Sequence, residues 1–430
     1  MPPIVIVLAV FIGLFVLRVP VAFALGLTAL VGLWLSPLPI SLSTLATSMW
    51  QGVNSFILLA IPFFVLMGNL AMASGVTVRL VKFAAAFVGH ISGGLAHVSV
   101  VVNMIMAGMS GSDLADAAAT GSILIPAMRR AGYPPGYAAA IIAGAATIGP
   151  LIPPSIGLLI YGAVTDTSIG RLFLGGAVPG VVLGLFLMLQ AYVVARRDHY
   201  PCEPPLSATE RLEATKASLP VLVIPIIVLG SILGGFATPT EAAMVGVAAV
   251  TVVGGLIYRE LSLTDFAEQT MAALKTTASI FFIIATAAAF ARVLTLYGAA
   301  TALATWVTDI TTDPILFLLG INLVYLLLGC FIDTTPILLV FVPLLMPTVR
   351  ALGIDPVHFG VVTVFNLLLG LITPPYGLTM YLVCRMAGLS IIEFWRYAWP
   401  ILGVMVLVLL LVTLFPSITL LLPNLILPVR

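Results

Sequence analysis

Long apolar stretches alternate with short interruptions of Gly, Pro, Ser, Thr and Asp, and this rhythm defines the elements of the chain. Stretches 3–17, 20–35 and 53–73 are apolar enough for membrane helices, the third interrupted by Pro62. A more polar piece over 75–90 carries Arg79 and Lys82. Residues 93–128 are apolar at both ends and broken from Ser110 to Asp116, the pattern of a re-entrant hairpin with a polar tip. The pattern predicts a broken span over 137–164, interrupted at 149–155 by Gly149, Pro150, Pro153 and Pro154, and a further span over 172–195. A connector over 196–218 follows, hydrophilic as far as Lys216 and marked by Pro201, Pro204 and Pro205. The order then repeats. Spans are predicted at 219–233 and 240–257, an amphipathic piece at 261–275 and a span at 279–296. A second hairpin over 311–348 has GCFIDTTP at its centre, a broken span over 358–387 is interrupted at 370–377, and 401–421 is the last span.

The repetition holds at a fixed offset of 221 residues, the separation of Gly108 from Gly329. The same offset carries Pro126 to Pro347, Arg129 to Arg350, Gly149 to Gly370 and Pro153-Pro154 to Pro374-Pro375. So many Gly and Pro residues in one ungapped register mark an internal duplication. Each half, 1–195 and 219–430, holds about five spans, one re-entrant hairpin and one broken helix. An odd number of crossings per copy requires the copies to be inverted in the membrane. The predicted fold is therefore an all-α polytopic membrane protein of two inverted-topology repeats, the architecture of secondary transporters.

Composition agrees with a lipid bilayer as solvent: 61% of the 430 residues are hydrophobic and 8% charged, against about 25% charged in soluble domains. A net charge of +1 and the lack of a basic tract give no support to a nucleic-acid partner. Three scattered cysteines, Cys202, Cys330 and Cys384, form neither a disulfide framework nor a metal-ligand spacing. The N-terminal apolar stretch lacks a basic leader and a small-residue cleavage site, and reads as a retained first span. With the connector on the cytoplasmic side, only Arg171, Arg292, Arg350 and Arg430 of the 17 basic residues fall outside. That bias satisfies the positive-inside rule and places both termini externally.

Chemistry concentrates where each hairpin tip meets the next broken span. The first pairing is Ser110, Gly111, Ser112 and Asp113 with Gly149 to Ser155; the second is Asp333, Thr334, Thr335 and Pro336 with Gly370 to Gly377. Non-helical backbone at membrane depth survives only where protein or a polar cavity satisfies it. Unwound carbonyls plus Ser, Thr and Asp oxygens make a shell suited to a hard cation. Half-helix N-termini suit a carboxylate. For each residue a structural role stands beside the functional one. Ser110 also fits close helix packing, Asp333 fits either a cation ligand or a hairpin N-cap, and Asp113 and Asp116 fit caps of the returning helix. His90 and His97 lack a ligand partner at helical spacing. Gly108-Met109-Ser110-Gly111 matches the short G-x-S-G of rhomboid-type proteases, but no later span places a histidine as base, and the repeat copy has no serine. An enzyme is not expected. A passive channel and a stand-alone sodium/dicarboxylate carrier are the other readings.

Several long blocks resemble the large membrane subunit of tripartite ATP-independent periplasmic (TRAP) transporters. They are SGSDLADAAATGSILIPAMRRAGYPPGYAAA, IGPLIPPSIGLLIYG, GCFIDTTPILLVFVPLLMPTVRALGIDPVHFGVV and NLLLGLITPPYGLTMYLV. The resemblance implies a bacterial or archaeal cytoplasmic-membrane subunit importing a small carboxylate with sodium by an elevator mechanism. It also implies a separate small four-helix membrane subunit and a periplasmic substrate-binding protein as partners. Carried over by motif, one Na+ site would use Ser110, Gly111, Ser112, Asp113, Gly149, Pro150, Ile152 and Pro153. A second Na+ site would use Ile332, Asp333, Thr334, Thr335, Gly370, Ile372, Thr373 and Pro374. Substrate would lie between the tips, near Ser112, Pro154, Ser155, Thr334, Pro375 and Tyr376. Many relatives carry a small residue at the position of Asp113, whose role stays open, as does that of Arg292, readable as a substrate contact or a snorkelling side chain.

Overall fold

The computed structural model describes residues 3–36 and 41–428, so Arg430 lies outside the described residues. Among those residues the regular structure is helical throughout, as apolar chains in lipid require, because helices satisfy their backbone groups internally. The first half comprises α1 (Pro3–Val16), α2 (Val21–Trp34), α3 (Leu42–Val53), α4 (Ala60–Ala73), α5 (Val76–Val88), α6 (Gly94–Ser110), α7 (Asp113–Arg130), α8 (Pro135–Ala146), α9 (Ile156–Thr165) and α10 (Ile169–Arg197). The second comprises α11 (Ala208–Leu233), α12 (Pro239–Val252), α13 (Leu263–Leu296), α14 (Ala299–Ile310), α15 (Pro314–Gly329), α16 (Thr334–Ala351), α17 (Pro356–Gly370), α18 (Leu378–Ala387), α19 (Ile391–Leu414) and α20 (Ser417–Ile426).

The duplicated register reappears in the helix bounds: the offset that aligns Gly108 with Gly329 superposes α7 on α16 end to end. It also brings α5, α6, α8 and α9 within a few residues of α14, α15, α17 and α18. Packing is reciprocal. Helix α7 lies on α18 while α16 lies on α9, and α8 lies on α19 while α17 lies on α10. The first halves of the two broken helices, α8 and α17, form the centre. Every residue from Gly136 to Ala146 and from Val357 to Gly370 is buried. Helix α8 is apolar all round, as a buried helix tends to be, and α17 buries its polar His358 and Asn366 against Thr419 and Asn322. Around this centre, α13 packs on α2, α3, α4 and α16, and α12 packs on α4 and α11.

Several sequence boundaries are corrected. Stretches 3–17 and 20–35 form helices of 14 residues each, about 21 Å long at 1.5 Å per residue and short of the roughly 30 Å hydrocarbon core. Pro62 does not break its helix; it sits in the first turn of α4, where a missing N–H costs nothing. The bend, of 59°, falls between Val53 and Ile57, and the helix before it reaches back to Leu42. The amphipathic piece 261–275 and the span 279–296 are one helix of 34 residues. Half of the connector is helical: α11 starts at Ala208, behind a capping box of Ser207 and Glu210. The last span does not run to 421 but stops at Leu414, where Pro416 cannot continue it, and α20 folds back onto α10. In all, six helices are long and apolar enough to cross a membrane, or eight if each bent pair counts as one span, among the described residues.

A buried cation holds α20 in place. Arg171, 9% exposed, donates to the Leu427 carbonyl at 2.7 Å and to Asn424 Oδ1 at 2.9 Å. Hydrogen bonds to a charged group contribute about 1.5–3 kcal/mol. Arg171→Met should therefore raise amide exchange across residues 417–426 about tenfold or more while leaving α7 and α16 protected; unchanged exchange would deny the clasp.

Candidate substrate and cation site

Both hairpins turn within a few residues because polar side chains cap the returning helices. Ser112 is the N-cap of α7 and accepts from the Ala115 amide at 3.5 Å, with Gly111 before it at φ 58°. Asp333 is the N-cap of α16, its Oδ1 accepting from the Thr334 amide at 2.7 Å. Each tip rests on the break that follows it. A side chain on Gly111 would meet the Pro154 carbonyl and the Ile156 amide, and the Tyr376 amide donates to the Cys330 carbonyl at 3.0 Å.

A cavity of about 470 Å³ lies between the tips. Of the residues expected in the site, Ser110, Gly111, Ser112, Asp113, Pro150, Asp333, Thr334 and Thr335 line it. The N-terminal turns of α7, α9 and α16 open onto it, and Asn69 of α4 and Thr276 of α13 also line it. No Arg, Lys or His is among the described lining residues.

The remaining expected residues are behind this wall. Gly149 and Pro153 are buried, and the Ile152 side chain packs on Gly180 of α10, leaving only its backbone for a ligand. In the second half, Ile332, Gly370 and Ile372 are buried. Thr373 Oγ1 donates to the Gly370 carbonyl at 3.0 Å and lies 3.3 Å from Cys330 Sγ. Pro374 and Pro375 form the break itself, and the Pro375 carbonyl accepts from the Tyr381 hydroxyl at 3.0 Å. Ser155 is fully buried and caps α9 through the Leu158 amide at 3.1 Å, so its hydroxyl serves the helix rather than the cavity. Pro154 supports Gly111, and Tyr376 is 40% exposed beside the second tip.

Two carboxylates have partners that spacing did not reveal. Neither Asp113 nor Asp116 caps α7, since Ser112 holds that position. Asp113, 6% exposed, accepts a hydrogen bond from Thr379 Oγ1 of α18, joining the first tip to the second broken helix. Asp116 is fully buried: Oδ1 accepts from Ser110 Oγ at 2.5 Å, and Oδ2 faces Gly149 with no hydrogen-bond partner. The only sequence signal for this was two polar residues on successive sides of the tip. In the second half, Thr334 Oγ1 is likewise inaccessible and unpartnered. Each tip thus holds a buried side-chain oxygen without a hydrogen-bond partner, Asp116 Oδ2 at the first and Thr334 Oγ1 at the second. Oxygen donors from Ser, Thr, Asp and unwound backbone fit an alkali cation.

An all-helical polytopic chain with two hairpin tips facing two broken helices across a central cavity belongs to the membrane transporters. Residues 8–418 match the family described as tripartite ATP-independent periplasmic transporter, DctM component. The chain is 42% identical over 386 residues to the C4-dicarboxylate TRAP transporter large permease protein DctM of Pseudomonas aeruginosa, covering 90% of each chain. It is 39% identical over 414 residues to the sialic acid TRAP transporter large permease protein SiaM of Vibrio cholerae, covering 96% of this chain and 97% of that one. In fold it is similar to the Alcanivorax borkumensis YdaH transporter, at a TM-score of 0.62 and 16% identity over 87% of both chains. The chain belongs to the DctM family of TRAP transporter large permeases, a family of transport subunits and not of enzymes.

Proposed function

We propose that the chain carries a small carboxylate, an organic acid, dicarboxylate or sialic-acid-like molecule, into the cell together with sodium. The observation that carries this reading is the unpartnered Oδ2 of fully buried Asp116, set against the first break with Ser110 on the other oxygen. An unpaired carboxylate inside a membrane protein costs several kcal/mol, and a cation removes that cost. The first sodium would use Ser110, Ser112, Asp116 and the backbone of the 149–153 break, and the second Asp333, Thr334 and the backbone of the 370–374 break. Asp113 and Asp333 both line the cavity, which would repel an anion. Cations bound at the tips reverse that field, and the N-terminal turns of α7, α9 and α16 then favour a carboxylate. Coupling follows from this electrostatics: the substrate's site is complete only when the cations are in place.

In this reading the two repeats are inverted, the connector is cytoplasmic and both termini are external, in a bacterial or archaeal inner membrane. The hairpins and broken helices slide as one body against the surrounding helices, an elevator. A small membrane subunit braces the scaffold, and a periplasmic binding protein delivers the substrate. Reconstitution of the chain with both partners tests it. An inward sodium gradient is expected to accelerate uptake of the carboxylate bound by the binding protein about tenfold or more, and uptake indifferent to sodium would overturn the coupling.

A further inference from the structure

A second cavity, of about 420 Å³, lies along the same three helices as the first. On α9, Gly157 and Ile160 line the first cavity and Ala163 and Val164 the second. On α13, Thr276 and Ile280 line the first, and Ile284, Ala288 and Arg292 the second. On α16, Thr334 and Thr335 line the first, and Leu339 and Pro343 the second. The three helices thus run past both chambers in the same direction, and one helical turn of each separates them. The two chambers therefore lie in line along these helices.

Their chemistry is opposite. The first chamber is lined by Asp113 and Asp333, with no basic residue among its described lining residues. The second is lined by Arg292 and by Ser48, Gln51, Ser55 and Thr295, with no carboxylate among its described lining residues. The hydroxyls of Ser48 and Thr295 already donate to their own helices, at 2.9 Å to the Thr44 and Ala291 carbonyls. The donors left for a ligand are the Ser55 hydroxyl, the Gln51 amide and the Arg292 guanidinium, which makes no ion pair among the described residues. A guanidinium presents paired N–H groups that match a carboxylate in geometry and charge.

We infer that the Arg292 chamber is an anion-receiving vestibule, a second site at which a carboxylate is held by Arg292 and Gln51 in line with the central cavity. The charge bias that makes the connector cytoplasmic puts this vestibule on the external side. A substrate anion then meets an attractive charge before it meets the acidic tips, and the cation-loaded site draws it one helical turn further in. The inference rests on the reading of the chain as a carboxylate carrier, but its first test needs no transport.

In a chain with Cys202, Cys330 and Cys384 replaced by Ser, Ser48→Cys places one thiol on the vestibule wall. Its modification rates by anionic 2-sulfonatoethyl methanethiosulfonate and by cationic 2-(trimethylammonium)ethyl methanethiosulfonate are compared. Relative to each reagent's rate with free thiol, the anion should react faster. Arg292→Gln should lower the anion-to-cation ratio about tenfold, the scale of a nearby unit charge in a low-dielectric cleft. Arg292→Lys should restore it. A ratio untouched by Arg292→Gln, or lost equally in Arg292→Lys, would overturn the anion site. Ala163→Phe, which fills the vestibule at the α9 turn next to the central cavity, should leave the ratio intact and slow carboxylate uptake about tenfold. Unimpaired uptake would remove the vestibule from the path. Labelling that follows charge while uptake ignores sodium would spare the vestibule and refute the coupling instead.

Discussion

Asp333→Asn is expected to raise the sodium concentration for half-maximal uptake by about ten- to a hundredfold while leaving folding intact. The substitution is informative because Asp333 has two possible occupations. Its side chain caps α16 at the Thr334 amide, 2.7 Å away, and asparagine caps a helix about as well as aspartate. What asparagine lacks is the charge, and an interaction with a charged partner contributes about 1.5–3 kcal/mol, where 1.4 kcal/mol is a factor of ten. A residue serving only as a cap would tolerate the change. Sodium-dependent uptake in vesicles measures the effect, and thermal unfolding of the purified protein checks the cap. Asp333→Ala removes both functions and should also lower stability by about 1 kcal/mol. An Asp333→Asn protein with unaltered sodium dependence would leave this residue a cap and nothing more.

Helix bounds were legible in the sequence wherever Gly and Pro recur at the 221-residue offset, because those residues act on the backbone itself. Helices α6 to α9 and α15 to α18 begin and end within a few residues of the bounds that the sequence pattern suggests. Hydropathy read the periphery less well, since it measures polarity and not continuity. It divided α13 at a change from amphipathic to apolar face, although the backbone runs unbroken through it. It overran Pro416 because the residues on either side are equally apolar. It also missed the start of α11, for which the better signal was Ser207 with Glu210 three residues on.

The site was legible as a set of positions but not as a set of bonds. Asp113 and Thr379 are 266 residues apart in sequence, and only the reciprocal packing of α7 on α18 joins them. Asp116 read as a potential cap because it lies in the first turn of α7, yet its carboxylate turns back to Ser110 and Gly149. Family resemblance sets Ser155 near the substrate, while its hydroxyl caps the buried start of α9. Arg292 could not be assigned from sequence at all, because its meaning depends on α3, α9 and α16 surrounding it. Local backbone chemistry travels with the sequence. Pairings between the halves do not.

The closeness of those pairings makes Gly370→Ala a damaging substitution at the second tip. A Cβ at Gly370 would lie 2.5 Å from the carbonyl carbon and oxygen of Gly329 and 2.7 Å from its Cα. All three are backbone atoms and have no rotamer to escape into, so α15 must move away from α17. Overpacking of this kind typically costs about 1–3 kcal/mol, sometimes more, and here the displacement falls on the site. Gly329 immediately precedes Cys330, whose carbonyl receives the Tyr376 amide, and the Gly370 carbonyl receives Thr373 Oγ1 at 3.0 Å. Separation of the two glycines therefore parts the second tip from its break and scatters the oxygens assigned to the second cation. The reciprocal change is milder, because a Cβ on Gly329 would lie 3.3 Å from Gly370 Cα. Gly403, with nothing within 4 Å of its would-be Cβ, should accept alanine neutrally or gain a few tenths of a kcal/mol from helix propensity. The expected order of damage is thus Gly370→Ala, then Gly329→Ala, then Gly403→Ala. It should appear both in thermal unfolding and in the sodium dependence of uptake. A Gly370→Ala protein as stable and as active as Gly403→Ala would mean that the two hairpin-to-break seams are not the rigid frame on which the cation sites depend.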